Sequence, residues 1–164
     1  MKKVFFFLLV FCVMVSAAYA TENRVFDYAD LLTPEQESML QQDIKSFQKD
    51  TAIDCVFLSS KEAIDSQSDY ADSFYDQNQF GYGKYKSGIL YLIDMYNRIP
   101  YLSTAGSAID IMTDLRIQYA HDICYNDLRE GNYFDAARKM LVVLQAYIYD
   151  GVPFGQFRYD RGGN

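Results

Sequence analysis

Histidine is almost absent from this sequence of 164 residues, in which His121 is the only one. A metal centre built from several imidazoles is therefore excluded. His121 falls in a predicted helix beside Ala120 on its apolar face, so we interpret it as a boundary residue and exclude a histidine nucleophile. The sequence also lacks a Walker loop, a Cys-x5-Arg loop and an Asp-x-Asp pair. The familiar motifs of phosphoryl transfer are thus missing.

Basic side chains are few relative to acidic ones. The chain has 15 Lys and Arg against 22 Asp and Glu, a formal net charge of −7. Nucleic acids and anionic membrane surfaces are bound by basic faces, so the charge balance argues against both kinds of partner. An acidic surface is compatible with cation binding, although such surfaces usually only confer solubility.

Cysteine is also scarce, with Cys12, Cys55 and Cys124 in the whole chain. Cys12 falls in the N-terminal apolar run, and the two cysteines that remain do not make a disulfide scaffold. A single bridge between Cys55 and Cys124 is one interpretation. Because each of them falls on an apolar face, two buried thiols are the interpretation we prefer.

The first twenty residues have the pattern of a secretory signal peptide. Lysines precede an apolar run over residues 4–15, and Ala18-Tyr19-Ala20 has the form of a cleavage site. The run is short for a membrane span, and Phe11 is too bulky for a lipoprotein cleavage site. We therefore predict cleavage near Ala20 and an extracytoplasmic chain, either secreted or in the cell envelope. An uncleaved signal anchor is the alternative.

Hydrophobic periodicity predicts the order α-β-α-β-β-α-α for the remaining chain. Thr33, Pro34 and Gln36 have the pattern of a capped helix start, and Pro100 predicts an edge strand or a bulge. The predicted fold is a single α/β domain over residues 21–150, a three-layer α/β/α sandwich around a small mixed sheet, followed by a flexible tail over 151–164. The predicted segments are a helix from 34 to about 49, a strand at 52–60, a helix at 65–80, strands at 88–94 and 99–105, and helices around 117–128 and 134–148.

The order and spacing of several short motifs resemble the TPM domain family from about Arg24 to Ile148. The family's motifs correspond to D-x-x-x-L-L from Asp27 to Leu32, Lys86-Ser87-Gly88 before the central strand, Arg98 after the hairpin turn, Gly106 after the third strand, and Asp114 at the next helix. At two positions the sequence differs from the family's motifs. Lys86-Ser87 replaces the usual acid-amide pair, which weakens a cation site in that loop, and Ala105 replaces a common glycine.

The resemblance implies an α/β/α sandwich outside the cytoplasm, often tethered to a membrane. Members of the family have been linked to phosphatase activity, to divalent-cation binding and to maintenance of membrane complexes. Many bacterial members continue into a glycine-rich tail and a transmembrane helix. The final Gly162-Gly163-Asn164 is compatible with the start of such a linker, so membrane association through a further C-terminal segment is a second route beside an uncleaved anchor.

The predicted topology brings two loops together, because an antiparallel hairpin returns the third strand beside the start of the second. We expect a loop cleft there with backbone amides, hydroxyls and an ammonium group. Asp110 and Asp114 follow the same strand, and together with Asp27 they are the candidate ligands for Ca²⁺ or Mg²⁺. Helix capping by Thr113 and a favourable dipole interaction of Asp114 are the competing explanation. The residues of the predicted loop cleft are Gly81, Gly83, Lys84, Ser87, Gly88, Gly106 and Ser107.

Two functions follow from these patterns. The first is an interaction or maintenance module for envelope or membrane-associated protein complexes, because the chain is acidic, rich in tyrosine and without a recognisable catalytic set. The alternative is a divalent-cation-dependent phosphatase acting on phosphorylated proteins or small phosphomonoesters. The expected partner is a protein or a membrane complex, and the only expected cofactor is Ca²⁺ or Mg²⁺.

Overall fold

A computed structural model of the protein describes residues 23–156, so the predictions for residues 1–20 and for the end of the tail, 157–164, lie outside the described residues. Four strands and five helices alternate along the described part of the chain. They are β1 (Val25–Asp27), α1 (Pro34–Thr51), β2 (Asp54–Ser60), α2 (Gln67–Gln77), β3 (Gly88–Asp94), β4 (Ile99–Ala105), α3 (Ala108–Ile111), α4 (Asp114–Glu130) and α5 (Tyr133–Asp150).

The strands form one mixed sheet in the order β1-β2-β3-β4. β1, β2 and β3 are parallel, whereas β3 and β4 are an antiparallel hairpin in which Gly88 pairs with Ala105 and Asp94 with Ile99. The sheet therefore has a loop end, where β2 and β3 begin and β4 ends, and a hairpin end, where β3 turns into β4. Seven residues of extended chain separate the two ends by about 20 Å.

Alternate residues of β2 and β3 face opposite layers of helix, and both strands are buried along their whole length. Cys55, Phe57 and Ile89 face a large core with α1, α4 and α5. Val56 and Leu90 face a smaller core with α2. As far as the structure describes them, both cores are built from residues after position 24, so a chain that begins at residue 21 keeps all of these residues. The predicted three-layer, single-domain fold is confirmed.

Local capping chemistry sets several helix boundaries. Thr33 and Gln36 form a reciprocal capping box at the start of α1. Thr113 caps α4, and Gly131 ends it in the left-handed region. Pro100 lies in β4, an edge strand, as predicted. The bounds of β3 and β4 agree with the predicted strands at 88–94 and 99–105.

Two short elements were not predicted. Residues 25–27, for which no strand was predicted, form β1 by pairing with residues 57–59 of β2. Residues 108–111 form α3 between β4 and α4. Neither segment is long enough to show a hydrophobic period.

Within residues 23–156 no helix is long and apolar enough to cross a lipid bilayer.

Candidate functional site

A buried carboxylate organises the loop end of the sheet. Asp54, the first residue of β2, is fully buried. The guanidinium of Arg24 donates to both of its oxygens, with Nε–Oδ1 at 2.8 Å and Nη2–Oδ2 at 3.2 Å. Gln48 Nε2 donates to Oδ1 at 2.6 Å, and the backbone N–H of Gly81 donates to Oδ2 at 2.7 Å. This network joins α1, β1, β2 and the 81–87 loop.

The 81–87 loop meets the end of β4, as the topology predicts. Ser87 Oγ lies 3.0 Å from both the backbone nitrogen and the hydroxyl of Ser107. The loop is closed by reciprocal backbone hydrogen bonds between Tyr82 and Ser87, with N–O distances of 3.0 and 2.9 Å. The 81–87 loop and the end of β4 are therefore in contact through Ser87 and Ser107, which are next in sequence to Gly88 and Gly106.

Protein atoms fill the space beside three of the predicted cleft glycines. A Cβ on Gly81 would lie 2.3 Å from Lys86 O, and one on Gly106 would lie 2.5 Å from Ser87 Oγ. A Cβ on Gly88 would lie 1.9 Å from Tyr75 Oη. These glycines permit close packing of the protein against itself. Gly83 has open space beside it, and the exposed Lys84 places its ammonium 5.4 Å from the ring centre of Tyr85.

The two downstream aspartates lie on separate helices beyond the loop end. Asp110 is half-buried in α3, whereas Asp114 is exposed at the first position of α4. Thr113 accepts a hydrogen bond from Arg116 N at 3.4 Å, and Asp114 lies where a helix dipole favours a negative charge. The capping role of this segment is therefore observed directly.

The third predicted ligand, Asp27, lies at the opposite end of the sheet. It pairs in register with Ser59 at the end of β1. Its carboxylate accepts hydrogen bonds from the Ser59 hydroxyl and from Leu32 N, the latter at 2.7 Å. The structure thus separates Asp27 from the other two aspartates. Among residues 23–156 no group of three or more His, Cys, Asp or Glu side chains is arranged to hold a metal ion.

A second buried carboxylate lies at the hairpin end and was not predicted. Asp94, the last residue of β3, is fully buried. It accepts hydrogen bonds from Gln67 Nε2 at 2.9 Å and from Asn97, through its backbone N–H at 3.0 Å and its amide at 2.9 Å. Although burial opposes ionisation, these bonds hold the pKa of Asp94 below its ordinary value. Asp54 and Asp94 each lie at one end of an apolar strand, and that position was the available sequence signal.

The buried thiols and phenols are poor nucleophiles. Cys55 and Cys124 are both free and buried, in agreement with the preferred interpretation. Burial raises the pKa of the Cys124 thiol to about 11 and that of Cys55 further still. Because the thiolate is the reactive form, neither cysteine is suited to nucleophilic catalysis at neutral pH. Burial likewise raises the pKa of Tyr91.

Exposed apolar side chains form a helical surface on α4 and α5. Leu115, Tyr119 and Ile123 recur every four residues along α4, and each is more than half exposed. Val142 and Tyr149 of α5 are exposed to a similar degree. We define these five residues as the helical surface. An exposed apolar cluster of this kind is typical of interaction sites.

A groove of about 730 Å³ lies beside this surface, across α1, α4 and α5, with Ile123 and Val142 in its lining. Two ion pairs border it, Arg138–Asp43 at 2.7 Å and Lys139–Asp127 at 2.6 Å. Asp50 and Asp135 also line the groove and have no ion pair within the described residues. The border is therefore net acidic around an apolar floor.

The fold and this surface define a small α/β/α domain without an assembled catalytic set among its described residues. The family model for the TPM domain matches residues 25–147. Since that match covers most of the sequence, the chain belongs to the TPM domain family, and the resemblance drawn from its motifs is confirmed. No functionally curated protein matches the chain significantly in sequence.

Solved structures share the fold. The N-terminal domain of a protein from P. gingivalis has a TM-score of 0.67 at 21% identity, covering 80% of this chain and 85% of its own. The BA42 protein from the psychrophilic bacterium Bizionia argentinensis has a TM-score of 0.65 at 13% identity, with coverages of 78% and 90%. The N-terminal domain of cg2496 from Corynebacterium glutamicum has a TM-score of 0.60 at 10% identity, with coverages of 91% and 95%. At these identities the similarity concerns the fold.

Proposed function

We propose that this TPM domain is an exported interaction module for envelope or membrane-associated protein complexes. The observation that carries the proposal is the helical surface, with its exposed Leu115, Tyr119 and Ile123 beside an acidic-bordered groove. Apolar side chains at four-residue spacing present one continuous ridge on a helix. A partner with an apolar patch and a basic rim would match the ridge and the acidic border.

Site-specific photo-cross-linking in the native cells tests the proposal. A photoreactive amino acid at Tyr119 should give a discrete cross-linked product whose partner can be identified by mass spectrometry. The same amino acid at Asp76, an exposed residue of α2 outside the helical surface, is the matched control. Val142→Asp should abolish the product formed at position 119. Equal products from both positions, or none at 119, would refute the assignment of this surface.

Export is part of the proposal and rests on residues 1–20. Their basic start, apolar run and Ala18-Tyr19-Ala20 support removal after Ala20. Mass spectrometry of the protein recovered from its native cells should find Thr21 at the N-terminus and the protein outside the cytoplasm. Recovery of a chain that still begins at Met1 from membranes would instead indicate an uncleaved anchor, and recovery from the cytoplasm would contradict export.

A divalent-cation-dependent phosphatase is the alternative function. The contact between Ser87 and Ser107, followed by Asp110 and Asp114, places hydroxyls and carboxylates on neighbouring segments at the loop end. Oxygen ligands of this kind suit Mg²⁺ or Ca²⁺, and a bound cation would supply an activated water. Hydrolysis of p-nitrophenyl phosphate that requires added Mg²⁺ or Ca²⁺ and is lost in Asp114→Asn would favour this alternative over the interaction module.

A further inference from the structure

A pocket of about 210 Å³ lies at the hairpin end of the sheet, away from the helical surface. The β3–β4 turn forms one wall and the last turns of α4 form the other. Arg98 of the turn and Arg129 of α4 both line the pocket. Its apolar lining residues include Ile99, Pro100 and Leu128. The pocket therefore combines two exposed arginines with an apolar lining.

Within residues 23–156, neither arginine of this pocket has a carboxylate partner. The other three arginines within residues 23–156 form ion pairs, Arg24 with Asp54, Arg116 with Asp150 and Arg138 with Asp43. Arg98 and Arg129 form none within the described part of the chain, although the protein has a net charge of −7. Arg129 has only an aromatic contact, 5.5 Å from its guanidinium carbon to the ring centre of Tyr125.

Asp94 also lines the pocket but forms no ion pair with these arginines within the described residues. Its carboxylate already accepts hydrogen bonds from Gln67 and Asn97. Arg129 lies in the last turn of α4, where the helix dipole favours a cation, but that role does not require a second arginine beside it. A guanidinium binds a carboxylate through two parallel hydrogen bonds, and the two arginines of this pocket offer two such groups.

The pocket's volume limits what it can accept. Sites for whole small molecules are roughly 300–1,000 Å³, so about 210 Å³ suits one terminal group. The apolar lining suits an apolar side chain, and the two arginines suit a carboxylate. A peptide C-terminus that ends in an apolar residue carries both groups on one carbon atom.

The open edge of β4 supplies the rest of the site. In the described structure β4 pairs only with β3, so its outer side is available to a further strand. Pro100 has no N–H to offer, but alternate residues over 101–105 direct their backbone N–H and C=O groups away from β3. A strand added antiparallel to β4 would run toward Ile99 and would end beside Arg98. Such addition is a common mode of peptide recognition.

We propose that β4 and the Arg98–Arg129 pocket bind the C-terminal segment of a partner protein as an added antiparallel strand. The free carboxylate lies between the two guanidiniums, and the last side chain occupies the apolar lining. This inference deepens the proposed interaction function and depends on it, since it assigns a second docking site and the chemistry of its ligand. It does not involve the helical surface.

Fluorescence anisotropy on the chain beginning at Thr21 tests the proposal. The probes are five fluorescein-labelled heptapeptides, Val-Thr-Val-Thr-Val-Thr followed by Leu, Ile, Val, Phe or Tyr, each as a free acid and as a C-terminal amide. At least one free acid should bind ten times or more tightly than its amide, because the amide lacks the charged oxygen acceptors that the guanidiniums bind. Arg98→Gln and Arg129→Gln should each weaken binding about tenfold. Lys45→Gln, which removes an exposed charge on α1, should leave it unchanged.

Nuclear magnetic resonance then separates a peptide site from a simple anion site. Binding of the free acid should shift the amide resonances of residues 101–105 as well as those around Arg98. Peptide-induced shifts confined to the surroundings of Arg98, and matched by those that inorganic phosphate produces, would indicate a simple anion site and overturn the strand-addition proposal. Equal affinity of acid and amide, or no binding of any peptide at millimolar concentration, would overturn it as well. Because photo-cross-linking probes Tyr119 on another surface, failure here leaves the proposed interaction function independently testable.

Discussion

Arg24 and Asp54 form a bidentate ion pair in which the two side chains are only 3% and 0% exposed. Arg24 also lies 4.6 Å from the ring centre of Phe80. Removing two charges from water is costly, so a pair of this kind is stable only while both partners are present. The pair connects the segment before β1 to β2 and, through Gly81, to the loop end of the sheet.

Asp54→Asn should therefore lower the free energy of unfolding by about 3–5 kcal/mol, because it removes the bidentate charged partner of a buried guanidinium. Urea denaturation followed by circular dichroism measures the change. Lys61→Ala is the matched control, since it breaks the Lys61–Asp30 pair, whose side chains are 63% and 86% exposed. That change should cost less than about 1 kcal/mol. Equal losses of unfolding free energy in the two variants would show that burial does not make the Arg24–Asp54 pair more important for stability than an exposed pair.

Gly88→Ala should destabilise the protein by about 1–3 kcal/mol through overpacking. The new methyl group would meet the hydroxyl of Tyr75, which donates to Lys86 O at 3.2 Å. Tyr75→Phe in the same chain should recover part of the loss, because it removes the oxygen that is in the way. Thermal unfolding of the two single variants and the double variant gives the coupling between the positions.

Gly83→Ala is the control for that experiment. Gly83 has a φ of +68°, but a Cβ there would meet nothing within 4 Å. Its substitution should cost only the conformational penalty of about 1–2 kcal/mol. If Tyr75→Phe rescued Gly83→Ala to the same extent as Gly88→Ala, the steric explanation for Gly88 would be wrong.

Acidification from pH 7 to pH 5 should destabilise the fold through His121. Burial lowers the pKa of His121 below its ordinary value of 6.5, partly offset by Asp122, and its Nε2 is buried without a hydrogen-bond partner in the described structure. The unfolded chain therefore binds a proton at a higher pH than the folded chain. Stability contributed by the neutral ring is present above pH 6.5 and is lost as the pH falls below that value.

His121→Phe should reduce this pH dependence while keeping an aromatic ring beside Tyr91, whose ring centre lies 6.3 Å from that of His121. Urea midpoints at pH 7.5 and 5.0 provide the comparison. The difference between the two midpoints should be smaller in the variant than in the natural chain. An unchanged difference would assign the acid sensitivity to carboxylates instead.

Millimolar Mg²⁺ or Ca²⁺ should leave the melting temperature unchanged after treatment with EDTA, because the candidate ligands do not converge on one point. A cation at one hundred times its dissociation constant would add about 2.7 kcal/mol, which is several degrees for a domain of this size. A rise abolished by Asp114→Asn would contradict this expectation and support the phosphatase alternative. Asp27→Asn is the control, since Asp27 lies at the opposite end of the sheet.

Local sequence patterns correctly predicted the elements that have a long apolar run or a capping motif. The apolar run of residues 88–94 gave the bounds of β3, and Thr33 with Gln36 gave the start of α1. The contact of Ser87 with Ser107 followed from the hairpin topology. These predictions succeeded because burial on both faces of a strand and side-chain capping leave their mark on residues close together in sequence.

The missed features depend on partners far apart in sequence. β1 exists because residues 25–27 pair with residues 57–59, and three residues carry no period of their own. Arg24 and Asp54 are separated by thirty positions. Arg98 and Arg129 line one pocket only because α4 packs beside the hairpin. Asp27 lies at the other end of the sheet from Asp110 and Asp114, because β1, which was not predicted, pairs it with Ser59.

By itself the sequence determined the family, the α/β class, the acidic charge and the caps, since each depends on residue identity and short-range order. Only the tertiary structure decided which charges are neutralised and which apolar side chains stay exposed. Those outcomes depend on what packs against each residue, and packing joins segments that no local pattern relates. The ridge on α4 and the two arginines that form no ion pair within the described residues are therefore properties of the fold.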